Sequence, residues 1–184
     1  MLEERLNNIT LKITLADITL MHVDAIVNPA PSDLEMKSGL ARGILARGGA
    51  AIQQEARALG YCPPGEAMIT SGGALPARHV IHTVGPVMGE GNERGKLASA
   101  IWNTLKLADS RGLASIALPA ISTGKHGGFP MEACAAIMAQ RIVDFTFEEV
   151  ASLRMILVCL IQEPMLHAFT RAFQDEISDA RAEV

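Results

Sequence analysis

Apolar residues along the chain switch between two periods. Ile9, Leu11, Ile13 and Leu15 alternate with polar neighbours, the period of two that marks a half-buried strand. The next run, "DAIVNPA", is continuously apolar at its centre and is cut by Pro29 and Pro31. These patterns predict an edge-type strand first and a more buried one second. From Leu40 to Leu59 the period lengthens, with Leu40, Ile44, Leu45, Ile52, Ala56 and Leu59 near helical spacing and Gly60 as a stop. "EAMITSG" and "HVIHTVGP" read as two strands joined around "GGALPAR", followed by a helix carrying Leu97, Ile101, Leu105 and Ala108 that ends near Gly112.

The same sequence of patterns repeats. "SIALPA" is a buried strand, and after a glycine-rich loop Pro130 suits a first helical turn continued by Ile137, Met138, Arg141, Ile142 and Phe145. "RMILVCLI" is the most apolar strand, and Pro164 opens a last helix with Leu166, Phe169, Phe173 and Ile177 on its inner side. Six strands alternating with helices define an α/β fold, a central mixed sheet with helices on both faces. No internal repeat or linker divides the chain, so residues 1–184 are expected to form one domain. In open α/β sheets ligands gather beyond the carboxyl ends of the strands.

Composition narrows the function classes. A formal net charge of −4 gives no global positive field, so direct nucleic-acid binding is not expected. No apolar run reaches the ~20 residues of a membrane helix, and the acidic start "MLEER" is unlike a secretion signal. Cys62, Cys134 and Cys159 are scattered without metal-ligand spacing, so neither disulfides nor a zinc site is indicated, and a reducing, cytoplasmic setting is expected. No cofactor or metal is expected.

Candidate chemistry falls at the expected strand ends. Asp17 follows the first strand, Asn28 closes "AIVN", and "LPAISTGKHGGFP", Leu118 to Pro130, follows "SIAL". Glycines there permit close approach, so the amides of Ser122 to Gly128 have the means to face an anion just before a helix N-terminus. The loop lacks the Gly-Lys-Ser/Thr ending of a P-loop and the spacing of a dinucleotide fingerprint. Taken alone it reads more readily as a plain strand-to-helix connection than as a ligand loop, Asp17 equally as a local cap, and Asn28 before Pro29 also as a turn residue. His82 reads as a satisfied core histidine, His79 and His167 as surface positions, and His126 as a residue of the loop tip.

Together these pieces resemble the macro domain family. The resemblance rests on "ADIT" at 16–19, "VDAIVNPA" at 23–30, "GEAMITSGGALPARHVIHTVGP" at 65–86 and "IALPAISTGKHGGFPMEACA" at 116–135, in family order and at family-like separations. It implies a three-layer α/β/α sandwich around a mixed, mostly parallel six-stranded sheet. It also implies binding of ADP-ribose or a related adenine nucleotide, free or on an ADP-ribosylated protein. By the same resemblance Asp17 accepts from the adenine amine with the Ile18 amide beside it, and Asn28 holds the distal ribose. Ser38, Gly39 and Leu40 cover one side of the diphosphate. Ser122, Thr123, Gly124, Lys125, His126, Gly127, Gly128 and Phe129 form the phosphate loop on the other, and Leu160 offers the adenine an apolar contact in place of an aromatic ring.

The departures from that pattern bear on activity. Hydrolases of the family read like "NAAN" followed by "GGGVDGAI"; here Pro31 stands for the second asparagine, Lys37 and Ser38 for two glycines, and Ala41 for the aspartate. Neither proline nor alanine orients a water or takes a proton. Asp33 and Glu35 are the nearest acids. In "NP" and "LEMK" this first loop is closer to the macro domain of the histone variant. Three readings remain: a binding module; an ADP-ribosyl hydrolase or a phosphatase of phosphorylated ADP-ribose; and a macro fold with a repurposed pocket.

Overall fold

The computed structural model describes residues 1–37 and 39–184. Strands are β1 (Leu2–Leu6), β2 (Ile9–Leu15), β3 (Ala25–Pro29), β4 (Ala67–Ser71), β5 (His79–Thr83), β6 (Ser115–Leu118) and β7 (Met155–Leu160). Helices are α1 (Leu40–Gly48), α2 (Ala50–Leu59), α3 (Glu93–Ser110), α4 (Met131–Phe145) and α5 (Glu163–Ala182), with a 3-10 turn at Ile18–Leu20. The strands form one seven-stranded sheet in the order β1-β2-β7-β6-β3-β5-β4. β2, β7, β6, β3 and β5 run parallel, and β1 and β4 are antiparallel flanks.

The sheet therefore has one strand more than the sequence pattern predicts, and β2 is interior, not an edge. The missed strand is β1, whose inward positions are Leu2, Glu4 and Leu6. The charged Glu4 at its centre breaks the apolar alternation, and Arg181 of α5 closes over it at 2.9 Å. The helix expected from Leu40 to Leu59 is also two helices. Gly49 turns between them with φ +94°, a conformation only glycine adopts freely, and the Ala74 amide docks on the Gly48 carbonyl at 2.9 Å.

Both faces of the sheet are covered. Leu11, Ile13, Ile81, Ile116 and Val158 pack with α3, α4 and α5, where Leu97, Met138, Phe145, Phe169 and Phe173 are fully buried. On the other face Ile26, Val80, Ala117 and Cys159 pack with Ile44 of α1 and Ile52 of α2. That is a three-layer α/β/α sandwich. Because five neighbouring strands are parallel, their carboxyl ends line one rim of the sheet, and the chain segments that follow them share it. No described helix is long and apolar enough to cross a membrane.

Candidate functional site

The rim brings together most of the residues singled out from the sequence. Asp17 leaves β2 and caps the 3-10 turn: its Oδ1 accepts the Thr19 amide at 3.0 Å and the Thr19 hydroxyl at 2.6 Å. The Thr19 hydroxyl holds the Asp17 carboxyl below its usual range; burial opposes it, and the Thr19 amide and the Arg47 charge add to the lowering. Arg47 of α1 stands 3.7 Å from Asp17 Oδ2, and both side chains are about half exposed. Asp17 is thus an anchored anion with one oxygen only loosely engaged. Among the described residues the neighbouring Ile18 amide donates to no protein group, although the Ile18 side chain is buried.

The glycine loop is folded by its last residues. Phe129 is buried, and its amide donates to the Ser122 carbonyl at 2.8 Å while Gly128 donates to Gly124 at 2.9 Å. The Thr123 hydroxyl donates back to Ala120 at 2.9 Å, and Ser122 takes φ +64°, strained for a residue with a side chain. A Cβ at Gly127 would collide with the Ser122 backbone, so only glycine fits the crossing. Among the described residues the amides of Thr123, Gly124, Lys125, His126 and Gly127 donate no hydrogen bond. Gly124, Lys125 and His126 are exposed. Unpaired amides in a tight loop leading into a helix are the kind of group that an anion can pair with.

Asn28 is fully buried near the end of β3 and lies opposite His82 of β5 in register. Its Nδ2 pairs with His82 Nδ1 at 3.1 Å, and its Oδ1 has no partner among the described residues. His82 is a satisfied core histidine, as its position in a strand predicts, with Thr70 Oγ1 2.9 Å from Nε2. Burial lowers its pKa to about 4, with Glu55 opposing weakly, so the ring is neutral near pH 7. His167 is exposed and His79 half-buried.

The remaining candidates divide. Gly39 precedes α1 with φ +59° and is exposed, Leu40 is half-buried in the first turn, and Ser38 lies outside the described residues. Leu160 departs from its expected place. Strand alternation sends its side chain with Ile156 and Val158 into the α4–α5 core at 1% exposure, while Cys159 faces the Ile18 side and Ile161 follows at 78% exposure. Burial first, and then the Asp17 charge, push the Cys159 thiol up to about 11, so it is inert.

Other contributors were not singled out from the sequence. The segment after β5 meets the glycine loop: the Met88 amide donates to Gly127 at 3.0 Å, and a Cβ at Gly85 would strike the Ser122 side chain. Val87 and Met88 expose apolar surface beside it. The dipeptide Gly85-Pro86, directly after a strand, was the available signal. Pro31 is exposed and Ala41 buried. Asp33 accepts the Glu35 amide at 3.0 Å, and Glu35 is held by Arg57 at 2.9 and 3.1 Å. The Arg57 guanidinium keeps Glu35 below the usual carboxylate range, so this acid is committed to α2.

A mostly parallel sheet covered on both faces, with unpartnered amides and anchored polar groups along its carboxyl rim, is the arrangement in which α/β domains gather ligands. Residues 27–138 match the Macro domain family, and the chain belongs to it. It is 45% identical over 153 residues to the O-acetyl-ADP-ribose deacetylase of Escherichia fergusonii, spanning 80% of this chain and 86% of that protein. An uncharacterized protein of Sulfurisphaera tokodaii is 42% identical over 172 residues, 91% of this chain and 92% of the relative. Among solved structures, the Oceanobacillus iheyensis macrodomain with ADP superposes with a TM-score of 0.91 at 31% identity, covering 97% of each chain. The Trypanosoma brucei macrodomain in complex with ADP-ribose gives 0.82 at 30% identity, over 88% of this chain and 68% of the other.

Proposed function

We propose that the chain binds ADP-ribose, free or attached to a protein, along the carboxyl rim of its sheet. The observation that carries this reading is the run of unpartnered amides from Thr123 to Gly127, a ready cradle for a diphosphate. Asp17, with a loosely engaged Oδ2, accepts from the adenine amine, and the buried Asn28 amide takes a ribose hydroxyl. The solved macrodomains with ADP and ADP-ribose support the assignment.

Calorimetric titration with ADP-ribose, with AMP and ADP as competitors, tests it. One saturable site is expected, weakened roughly tenfold or more in Asp17→Ala, the loss that follows from a hydrogen bond to a charged acceptor. No heat at high ligand concentration, from protein shown to be folded, sinks the reading.

A second reading, hydrolysis of an ADP-ribose ester or phosphate, is favoured by the 45% identity to a deacetylase. With Pro31 and Ala41 in the first loop and Glu35 tied to Arg57, the attacking water would be placed by loop amides and substrate instead of a side-chain base. Acetate release from O-acetyl-ADP-ribose that survives both Asn28→Ala and Asp17→Ala would remove this site from that reaction.

A further inference from the structure

The segment after β3 is fastened to α2. β3 and β6 are neighbouring parallel strands, so residues 30–37 and 119–130 leave the carboxyl rim at adjacent positions. The first of these segments turns at once: the Leu34 amide donates to the Pro31 carbonyl at 2.9 Å, and the Cys62 amide donates to the Ser32 carbonyl at 2.9 Å. Leu34 then takes φ +60°, a left-handed conformation that is strained for a residue with a side chain, and its side chain is fully buried in a cluster with Ala56, Cys62 and Val84. Met36 is buried too, in the cluster of Ile44 and Ile52, whereas Pro31, Asp33 and Lys37 are exposed. The segment therefore has an inner edge sunk against α2 and an outer edge in solvent.

One side chain of α2 holds that inner backbone. Gln53 is 7% exposed; its Oε1 accepts the Met36 amide at 2.7 Å, and its Nε2 donates to the Leu34 carbonyl at 3.2 Å. A single amide group thus pairs residues 34–36 as a neighbouring strand would. Its orientation is forced, since a backbone N–H can only donate and a carbonyl can only accept. Arg57, one turn further along α2, closes on Glu35 at 2.9 and 3.1 Å, but Arg57 is exposed, and ion pairs of that kind contribute little. Both Gln53 bonds are buried, so its loss leaves a donor and an acceptor of the main chain unpaired. A strained residue such as Leu34 persists where the surroundings over-determine it, and Gln53 supplies that determination.

We propose that Gln53 is a positioning residue: it sets residues 34–36 in place before any ligand arrives, so that this segment bounds the carboxyl-rim site as a fixed wall and does not have to order itself on binding. The inference rests on the ADP-ribose reading for its ligand and on the free protein for its geometry. A segment ordered in advance adds no ordering cost to association. Where only a fraction of the chains holds the competent arrangement, apparent affinity falls by that fraction. The loss then appears in the association rate, because the complex, once formed, is the same. Deleting a side chain that touches the ligand would instead speed dissociation. Gln53, buried behind the segment, acts in the first way.

Amide hydrogen exchange in the free protein tests the preset segment without any ligand. The Met36 amide is expected to exchange at least roughly 100-fold more slowly than in an unstructured chain, and Gln53→Met, which neither accepts from Met36 nor donates to Leu34, should bring it close to the unstructured rate. A Met36 amide that exchanges freely in the unaltered chain overturns the proposal. Stopped-flow binding of ADP-ribose then separates positioning from contact. Gln53→Met should lose roughly tenfold in affinity, with association slowed by that factor and dissociation within about twofold of the unaltered chain. Gln53→Glu, of the same shape but with no N–H for the Leu34 carbonyl, should move in the same direction. Arg57→Met, which breaks only the exposed pair, should stay within about twofold. Folded Gln53→Met and Gln53→Glu proteins that bind as the unaltered chain does, or that lose affinity through faster dissociation, would also overturn it. If the unaltered chain binds no ADP-ribose, the proposed function falls, while exchange at Met36 still decides whether Gln53 holds the segment.

Discussion

The two rims of the sheet treat their loop amides in opposite ways. At the amino ends of the strands, the turns are closed by the protein's own carboxylates. Asp24 Oδ2 accepts the amides of Ala114 and Ser115 at 2.7 and 3.3 Å, and Asp109 accepts those of Ala151, Ser152 and Leu153 between 2.7 and 3.1 Å. At the carboxyl ends, the amides of Thr123 to Gly127 have no such partner among the described residues. Convergent amides attract an anion in either place. Where the chain supplies the anion the turn is closed by it, and where it supplies none the amides are left unpartnered, which is the ground for the proposed site. The contrast locates the site more sharply than cavity size does, since a cavity of about 360 Å³ lies along β4 between Glu55 and Arg111, away from the rim.

The largest effect is expected where the open rim depends on backbone contact. In Gly127→Ala the new methyl group meets the Ser122 carbonyl, and the loop must open to accommodate it. Titration with ADP-ribose should show affinity reduced at least roughly 100-fold, about 3 kcal/mol. Unchanged affinity would mean that these amides do not hold the diphosphate, and the comparison of the rims would lose its meaning.

At the closed rim the expected loss is in stability, not binding. Burial disfavours the charge on Asp109, but the amides of Leu153, Ser152 and Ala151 outweigh it and hold the carboxyl below its ordinary value. Asp109→Ala removes all of these bonds at once from a half-exposed position, and urea unfolding should show a loss of about 2–3 kcal/mol. ADP-ribose affinity should stay within about twofold. The same group gives a pH signature. A depressed folded pKa means stability that is present above the unfolded value of 3.8 and lost as pH falls through the folded pKa, so the Asp109 contribution fails only in strong acid.

His82 fails earlier on the same scale. Its pKa is 6.5 as a free side chain and about 4 when folded, so the unfolded chain binds the extra proton first. Stability is therefore full above about 6.5 and declines as pH falls towards 4, by about 2 kcal/mol near pH 5 for this group alone. Unfolding of the unaltered chain and of His82→Leu at pH 7 and near pH 5 isolates it. The gap between the two should shrink in acid, and a gap independent of pH would show that His82 is not held neutral.

What could be read from the sequence follows the same division. Periodicity located β2 to β7 and the three long helices because their apolar faces are uninterrupted, whereas β1 was lost to the inward Glu4 and the turn at Gly49 to a helical period that continues across it. That Asp17, Asn28 and the glycine loop fall at or just after strand carboxyl ends was legible because each follows a recognisable apolar run. The contacts of His82 with Asn28 and Thr70 were not, because they depend on register between strands. Nor was the inward turn of Leu160, which depends on which sheet face the alternation of β7 starts from.

The smallest effect belongs to the other glycine of the same loop. A Cβ at Gly124 meets nothing within 4 Å, and its φ is not in the left-handed region, so alanine fits without strain. Gly124→Ala also narrows the unfolded ensemble, which stabilises by about 0.4–1 kcal/mol where the native conformation is compatible. Thermal unfolding should show a midpoint unchanged or slightly raised, while Gly127→Ala lowers it. If both variants are destabilised alike, the loop is uniformly intolerant and the close crossing at Ser122 is not its organising contact. If only Gly127→Ala suffers, the loop owes its shape to that single crossing, and the amides between the two glycines are held open by it.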